Sequence, residues 1–227
     1  MAGPAGRREA GKQARRAALT AAAHRLFSER GFEATSVRDI ALAAGLTERT
    51  FYRYFDGKEG LLAEEYESLL KALGAAIRER PAAEQPLTAI RNAMLAAIRA
   101  ARAREPGGQA GPVPVWLFSD RPFAGLRRLA PRPLVRMETA MADAVLARLR
   151  ADAAGSRASG GQGDRSAGPG QEYQAQVVAR IAVAALRSAA IRHRQLRRVG
   201  EPGPPDIEDL LGQAFAIIGD QHIQQQP

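Results

Sequence analysis

The sequence predicts an all-α protein of about nine helices, a three-helix helix-turn-helix head at the N-terminus followed by a larger helical body. Three observations carry that expectation. Apolar residues recur at three- and four-residue spacing along most of the 227 residues, with no strand-like alternation and no internal repeat. The Pro/Gly cluster of residues 106–114 and the Gly-rich segment 156–170 fall between these periodic stretches. The segment SVRDIALAAGLTERTFYRYF, residues 36–55, has the layout of two short helices hinged at a glycine.

Residues 1–14 are rich in Gly, Ala and Arg without periodicity and are expected to form a disordered basic tail. From Arg15 to Arg30 the set Ala18, Leu19, Ala22, Leu26 and Phe27 predicts a helix, which Gly31 stops. Ser36 with Asp39 three residues on forms a capping-box pattern, so the second helix starts there. Ile40 and Ala41 give it an apolar stripe, and Gly45 can adopt the left-handed conformation that ends a helix and reverses the chain. Thr47 is a second N-cap, and Phe51 with Phe55 gives the third helix one buried face. Glu48, Arg49, Thr50, Tyr52 and Arg53 then project outward near the helix end that reads base edges in a major groove.

A long helix is expected from Lys58 to about Arg80, with Leu62, Tyr66, Leu69, Leu70, Leu73 and Ile77 on one face and Pro81 at its end. A fifth runs from about Pro86 to Arg104. The Pro/Gly cluster of residues 106–114 reads as a loop, followed by a short helix near Phe123–Leu129 and a longer one from Pro133 to about Arg150. Residues 156–170 are low-complexity Gly, Ser and Gln and read as a flexible connection. Two helices close the chain, an alanine-rich one over 171–198 and another over 206–221. The expected domains are therefore the tail 1–14, a head 15–60 and a body 61–227.

The string TSVRDIALAAGLTERTFYRYFDGKEGLL resembles the DNA-binding domain of the tetracycline-repressor (TetR) family of bacterial transcription regulators. Order, spacing and residue types agree over roughly residues 15–65; the rest of the chain is similar only in its layout of helices. Glu48 stands where that family's groove-facing position is often neutral or basic. Gly60, in the first turn of the next helix, costs about 1 kcal/mol against Ala. The resemblance implies DNA contacts at Ser36, Arg38, Thr47, Glu48, Arg49, Thr50, Tyr52 and Lys58. By their chemistry Thr47, Thr50, Tyr52 and Lys58 suit phosphate oxygens, whereas the guanidinium groups of Arg38 and Arg49 suit guanine O6 and N7.

Composition agrees with that partner. The net charge is +9, with a pI near 10.8, and residues 1–60 hold 11 Lys and Arg against 7 Asp and Glu. Only Lys12, Lys58 and Lys71 among the 33 basic residues are lysine, a bias that GC-rich codon usage also produces. Arg7, Arg8, Lys12, Arg15 and Arg16 form the densest basic cluster, and either a DNA-tracking arm or an ordinary solvated tail accommodates them. Cysteine is absent, and no apolar run approaches the ~20 residues of a membrane span, so a cytoplasmic protein without a membrane partner is expected.

The resemblance also implies a small-molecule pocket in the body, with Tyr66, Met94, Trp116, Phe118, Phe123, Met137 and Met141 as its candidates and a largely apolar effector as its occupant. Aromatic and Met residues at helical spacing serve equally as plain core. It implies in addition a homodimer through the last two helices, with Val178, Ile181, Ala182, Ala185, Ala189, Leu211, Phe215 and Ile218 at the interface; the alternative is that these residues close the monomer's own core. His24, His193 and His222 lie far apart, and no nucleophile elbow, P-loop or dinucleotide fingerprint occurs. Neither catalysis, a metal nor a cofactor is expected. The reading is a dimeric, ligand-responsive regulator, most directly a repressor, on a palindromic double-stranded operator. A constitutive DNA-binding or architectural protein without a ligand is the competing one.

Overall fold

A computed structural model describes residues 4–102, 133–158, 169–199, 203 and 205–223. Among the described residues the chain is helical and has no strand. Its helices are α1 (Pro4–Arg30), α2 (Val37–Ala43), α3 (Glu48–Tyr52), α4 (Gly57–Arg78), α5 (Pro86–Arg102), α6 (Pro133–Ala158), α7 (Pro169–Val199) and α8 (Ile207–Ile223). The loop expected at 106–114 and the short helix near Phe123–Leu129 lie outside the described residues.

Two differences from the sequence expectation concern helix ends. Helix α1 begins at Pro4, so residues 4–14 are helical rather than a disordered tail. Proline suits the first helical position, and Ala, Arg, Lys and Gln are strong helix formers. With residues 15–30 already docked as a nucleus, such a stretch propagates the helix at little cost despite Gly6 and Gly11. It has no apolar stripe, and periodicity therefore gave no signal. Likewise α6 runs to Ala158 and α7 starts at Pro169, so both ends of the expected connection at 156–170 are helical, with 159–168 outside the described residues.

The described chain divides into two compact units, one of residues 4–68 and 100–102, the other of 69–99 and everything from Pro133 on. The first has its core in Leu19, Ala23, Leu26 and Phe27 of α1, Ile40 and Ala41 of α2, Phe51 and Phe55 at α3, and Leu61, Leu62 and Tyr66 of α4. Gly31 closes α1 at φ 82°, a conformation that a Cβ makes costly. Buried Thr35 ties the same turn together, its hydroxyl donating to the Gly31 carbonyl at 2.8 Å. Part-buried His24 and Glu65 meet at 2.6 Å and join α1 to α4.

In the second unit, Leu73 and Ile77 of α4, Ile90 and Met94 of α5, and Met137, Met141 and Val145 of α6 are buried. Its one buried cation among the described residues, Arg148, donates through Nη2 to the carbonyls of Pro81 at 2.7 Å and Glu84 at 3.1 Å, clamping the turn between α4 and α5. A guanidinium suits that place because one planar fork satisfies two carbonyls left over at a helix end. Small Ala175, Ala179, Ala182, Ala185, Ala189 and Ala190 are buried on α7, which packs against both α6 and α8; Leu211 and Phe215 are buried on α8.

Candidate nucleic-acid interface

The local chemistry of residues 36–58 fixes how the outward side chains are presented. Ser36 caps α2 reciprocally with Asp39: the Asp39 N–H donates to Ser36 Oγ at 3.1 Å, while Asp39 Oδ2 accepts from the Ser36 N–H at 3.0 Å and its hydroxyl at 2.6 Å. These hydrogen bonds from Ser36, more than the nearby Arg30 and Arg38 charges, hold the Asp39 carboxyl below its ordinary value of 3.8. At the other end of α2 the Leu46 N–H reaches the Ala41 carbonyl at 2.8 Å and the Gly45 N–H reaches Leu42 at 3.0 Å, the hydrogen-bond pair of a Schellman closure. Gly45, at φ 67°, occupies the left-handed position that this closure requires.

Thr47 then caps α3. Its Oγ1 accepts from the Thr50 N–H at 3.2 Å and shares a 3.0 Å hydrogen bond with the Thr50 hydroxyl. Phe51 is fully buried and Phe55 nearly so, their rings 5.4 Å apart. With those two anchored inward, Ser36, Arg38, Thr47, Glu48, Arg49 and Tyr52 are exposed and Thr50 is half-buried. Tyr52 has 59% of its surface free, a large exposure for an aromatic ring beside a core. Apart from half-buried Thr50, the candidate contacts from α2 and α3 are thus solvent-exposed hydroxyls, guanidinium groups, a carboxylate and a phenol.

Lys58 differs from the others. Its ammonium donates to the carbonyls of Phe32 at 2.7 Å and Thr35 at 2.9 Å and sits 4.4 Å from the centre of the Phe32 ring. Two of its three donors therefore bind the start of α4 to the turn between α1 and α2, which leaves one for a phosphate. The sequence pattern K-E-x-L could not show this, because the two carbonyls lie more than twenty residues upstream.

Arg53 is exposed as expected, whereas Tyr54 and Leu42 were not singled out in the sequence and Arg15 was read only as part of the basic cluster. Arg53 stacks on Tyr54, its guanidinium carbon 5.2 Å from the ring centre, and donates to the Tyr54 hydroxyl at 3.3 Å. Partial burial pushes the Tyr54 phenol upward, but hydrogen bonds from Arg53 and Arg15 outweigh it and hold the group below its ordinary 10.0. Arg15 of α1 therefore reaches the end of α3. Leu42 of α2 is 77% exposed, and nothing in its periodicity marked it as different from its buried neighbours.

Elsewhere the candidates divide. Met94, Met137 and Met141 are buried in the second unit and Tyr66 in the first, whereas Trp116, Phe118 and Phe123 lie outside the described residues. Of the residues expected at a dimer interface, Ala182, Ala185, Ala189, Leu211 and Phe215 are buried inside the single chain, while Val178, Ile181 and Ile218 are half-buried. The sequence showed that these positions were apolar but not which face of α7 its own neighbours covered. Exposed Tyr173, Ala184 and Ile191 and half-buried Val177 and Ile181 are spaced at helical repeats along α7.

A capped, glycine-hinged helix pair that buries two Phe and exposes Arg, Thr and Tyr defines a helix-turn-helix protein of the DNA-binding kind. Residues 19–64 match the family of bacterial regulatory proteins, tetR family. The head thus carries a tetR-family domain over residues 19–64. Among similar proteins, the HTH-type transcriptional repressor KstR2 of Rhodococcus jostii (strain RHA1) is 45% identical over 69 residues, 30% of this chain and 34% of the relative. The HTH-type transcriptional regulator TcmR of Streptomyces glaucescens is 37% identical over 86 residues, 38% of each chain. This chain therefore matches only about a third of the length of these curated relatives. A TetR family transcription regulator from Marinobacter aquaeolei VT8 shares the fold, with a TM-score of 0.51 at 21% identity over 92% of this chain and 97% of the other. Among the described residues no helix is long and apolar enough to cross a membrane.

Proposed function

We propose that the protein is a cytoplasmic transcriptional regulator that binds a palindromic operator as a homodimer and represses by occupying it until a small, apolar effector releases it. The observation that carries the DNA-binding part is the exposed face of α2 and α3, where two caps and a Schellman turn hold Arg38, Thr47, Arg49 and Tyr52 outward over a sealed Phe51–Phe55 core. Arg38 and Arg49 read bases, Thr47, Thr50 and Tyr52 hold phosphates, and Ser36 contributes through its cap and exposed hydroxyl. Glu48 accepts from cytosine N4 or disfavours other bases. Residues 15–60 are the DNA-binding domain, and 61–227 bind the effector and the second subunit.

Repression is supported by relatives named as repressors, and dimerisation by the uncovered apolar stripe of α7 from Tyr173 to Ile191. A two-fold dimer doubles the DNA contacts and reads an inverted repeat. The effector site is assigned to the second unit near Met94, Met137 and Met141, whose soft side chains adapt to an apolar guest. Release is a population shift, in which the effector binds the DNA-incompetent state more tightly than the competent one. Helix α4, which contributes residues to both units, is the element through which that preference passes. Footprinting of the gene's own upstream region, with and without a panel of apolar compounds, tests the reading. A protected inverted repeat that a compound clears supports it; protection that no compound clears favours the constitutive binder, and no protection of any selected DNA defeats both.

A further inference from the structure

Residues 6–14 of α1 bury no side chain, yet they are helical, basic and in register with the stripe that the rest of α1 buries. Residues 4–16 contain Arg7, Arg8, Lys12, Arg15 and Arg16 against Glu9 alone. Arg8, Lys12 and Arg15 are spaced by four and three residues, and Leu19 follows four residues after Arg15, so all four lie on one stripe of the helix. From Leu19 onward that stripe is the buried one, carried on by Ala22, Ala23 and Leu26. Before Leu19 the same stripe is exposed and cationic. Its inner end is anchored at the head: Arg16 pairs with Glu64 of α4 and lies 5.2 Å from the centre of the Phe55 ring, and the neighbouring Arg15 helps lower the Tyr54 phenol beside Arg53.

We propose that residues 4–15 of α1 form a second DNA-binding element, a helical arm that lays Arg8, Lys12 and Arg15 along the phosphates of duplex outside the segment read by α3. This rests on the DNA-binding reading of the head and adds to it a sequence-independent contact. Arg8 to Arg15 spans about 10 Å along the helix, the length of about three phosphates on one strand. Duplex DNA is the partner that fits, because the stripe continues the charged Arg15–Tyr54–Arg53 cluster. The apolar positions beside it, Pro4, Ala5 and Gly11, are too small to anchor in a lipid surface.

The test measures binding of the full chain to a 40-base-pair duplex of mixed sequence by fluorescence anisotropy, from about 50 to 200 mM salt, for wild type, the R8Q/K12Q double variant and Tyr52→Ala. Gln keeps the helix propensity of Arg and Lys, so unchanged circular dichroism shows that the arm still folds. Losing two phosphate contacts per subunit, four per dimer, should flatten the slope of log K against log salt by about 3.6, so the variant's affinity falls about 150-fold less than wild type's across that range. A variant that keeps the wild-type slope and affinity overturns the arm while leaving the head's role intact, provided Tyr52→Ala weakens binding. If wild type itself shows no salt-dependent binding to any duplex, the DNA-binding reading falls together with the arm.

Discussion

Replacing Lys58 separates a structural clamp from a DNA contact. Its ammonium gives two charge-assisted hydrogen bonds to the Phe32 and Thr35 carbonyls and a cation–π contact to the Phe32 ring. The group is half-solvated, so low-end values apply, about 1.5 kcal/mol for each hydrogen bond and about 0.5 for the ring. Ordering the lysine side chain offsets about 1.5 of that sum. Lys58→Met, which keeps the stem and removes the charge, should therefore weaken the attachment of α4 to the α1–α2 turn by about 2 kcal/mol. Hydrogen exchange reads this locally. Amides of residues 33–44 that exchange through local opening should do so about 30-fold faster in the variant, a factor that follows from tenfold per 1.4 kcal/mol. Unchanged exchange alongside weakened DNA binding would refute the clamp and leave Lys58 as a phosphate ligand alone.

Other consequences follow from the same contacts. Asp39 is held below its ordinary 3.8, so the capping box stabilises α2 fully above that value and loses its contribution as pH falls through the lower folded value. Comparing acid unfolding of wild type and Asp39→Ala between pH 5 and 2 checks this: the stability gap should close at the acid end. Glu84, lowered chiefly by its hydrogen bond from Arg80, has the same sign from 4.5 downward. Arg148→Met should destabilise the second unit by about 3 kcal/mol in urea, because it removes the two charge-assisted hydrogen bonds from a buried guanidinium to the Pro81 and Glu84 carbonyls. Ile191→Glu should convert a dimer to monomers in sedimentation with the fold unchanged, whereas Ala185→Glu should impair folding, since Ala185 is 3% exposed within its own chain.

The head was legible because its signals are local. Ser36–Asp39, Gly45, Thr47 and the Phe51–Phe55 pair each act within a few residues, and each takes the geometry its spacing implies. Long-range partners were not legible. Lys58 reads as a free cation until Phe32 and Thr35 are brought beside it, and Arg15 reads as tail until it meets Tyr54. Propensity without periodicity hid residues 4–14, because an exposed helix has no apolar stripe to detect. On α7 the alanines gave a small-residue face, but α6 and α8 of the same chain pack on this helix and its alanines are buried, so the exposed apolar positions are Tyr173, Ala184 and Ile191.

The central claim is that α3, with Arg38 beside it, reads base pairs, and its most direct measurement is a specificity ratio. Duplexes are selected from a random pool by the wild-type protein, and affinities for the enriched sequence and a scrambled one are then compared for Arg38→Ala, Arg49→Ala and Tyr52→Ala. The account predicts enrichment of an inverted repeat and a fall in the ratio for each arginine variant by about 1–3 kcal/mol. Tyr52→Ala should weaken both duplexes alike. A pool with no enriched sequence, or arginine variants that lose affinity equally for enriched and scrambled duplexes, would contradict it.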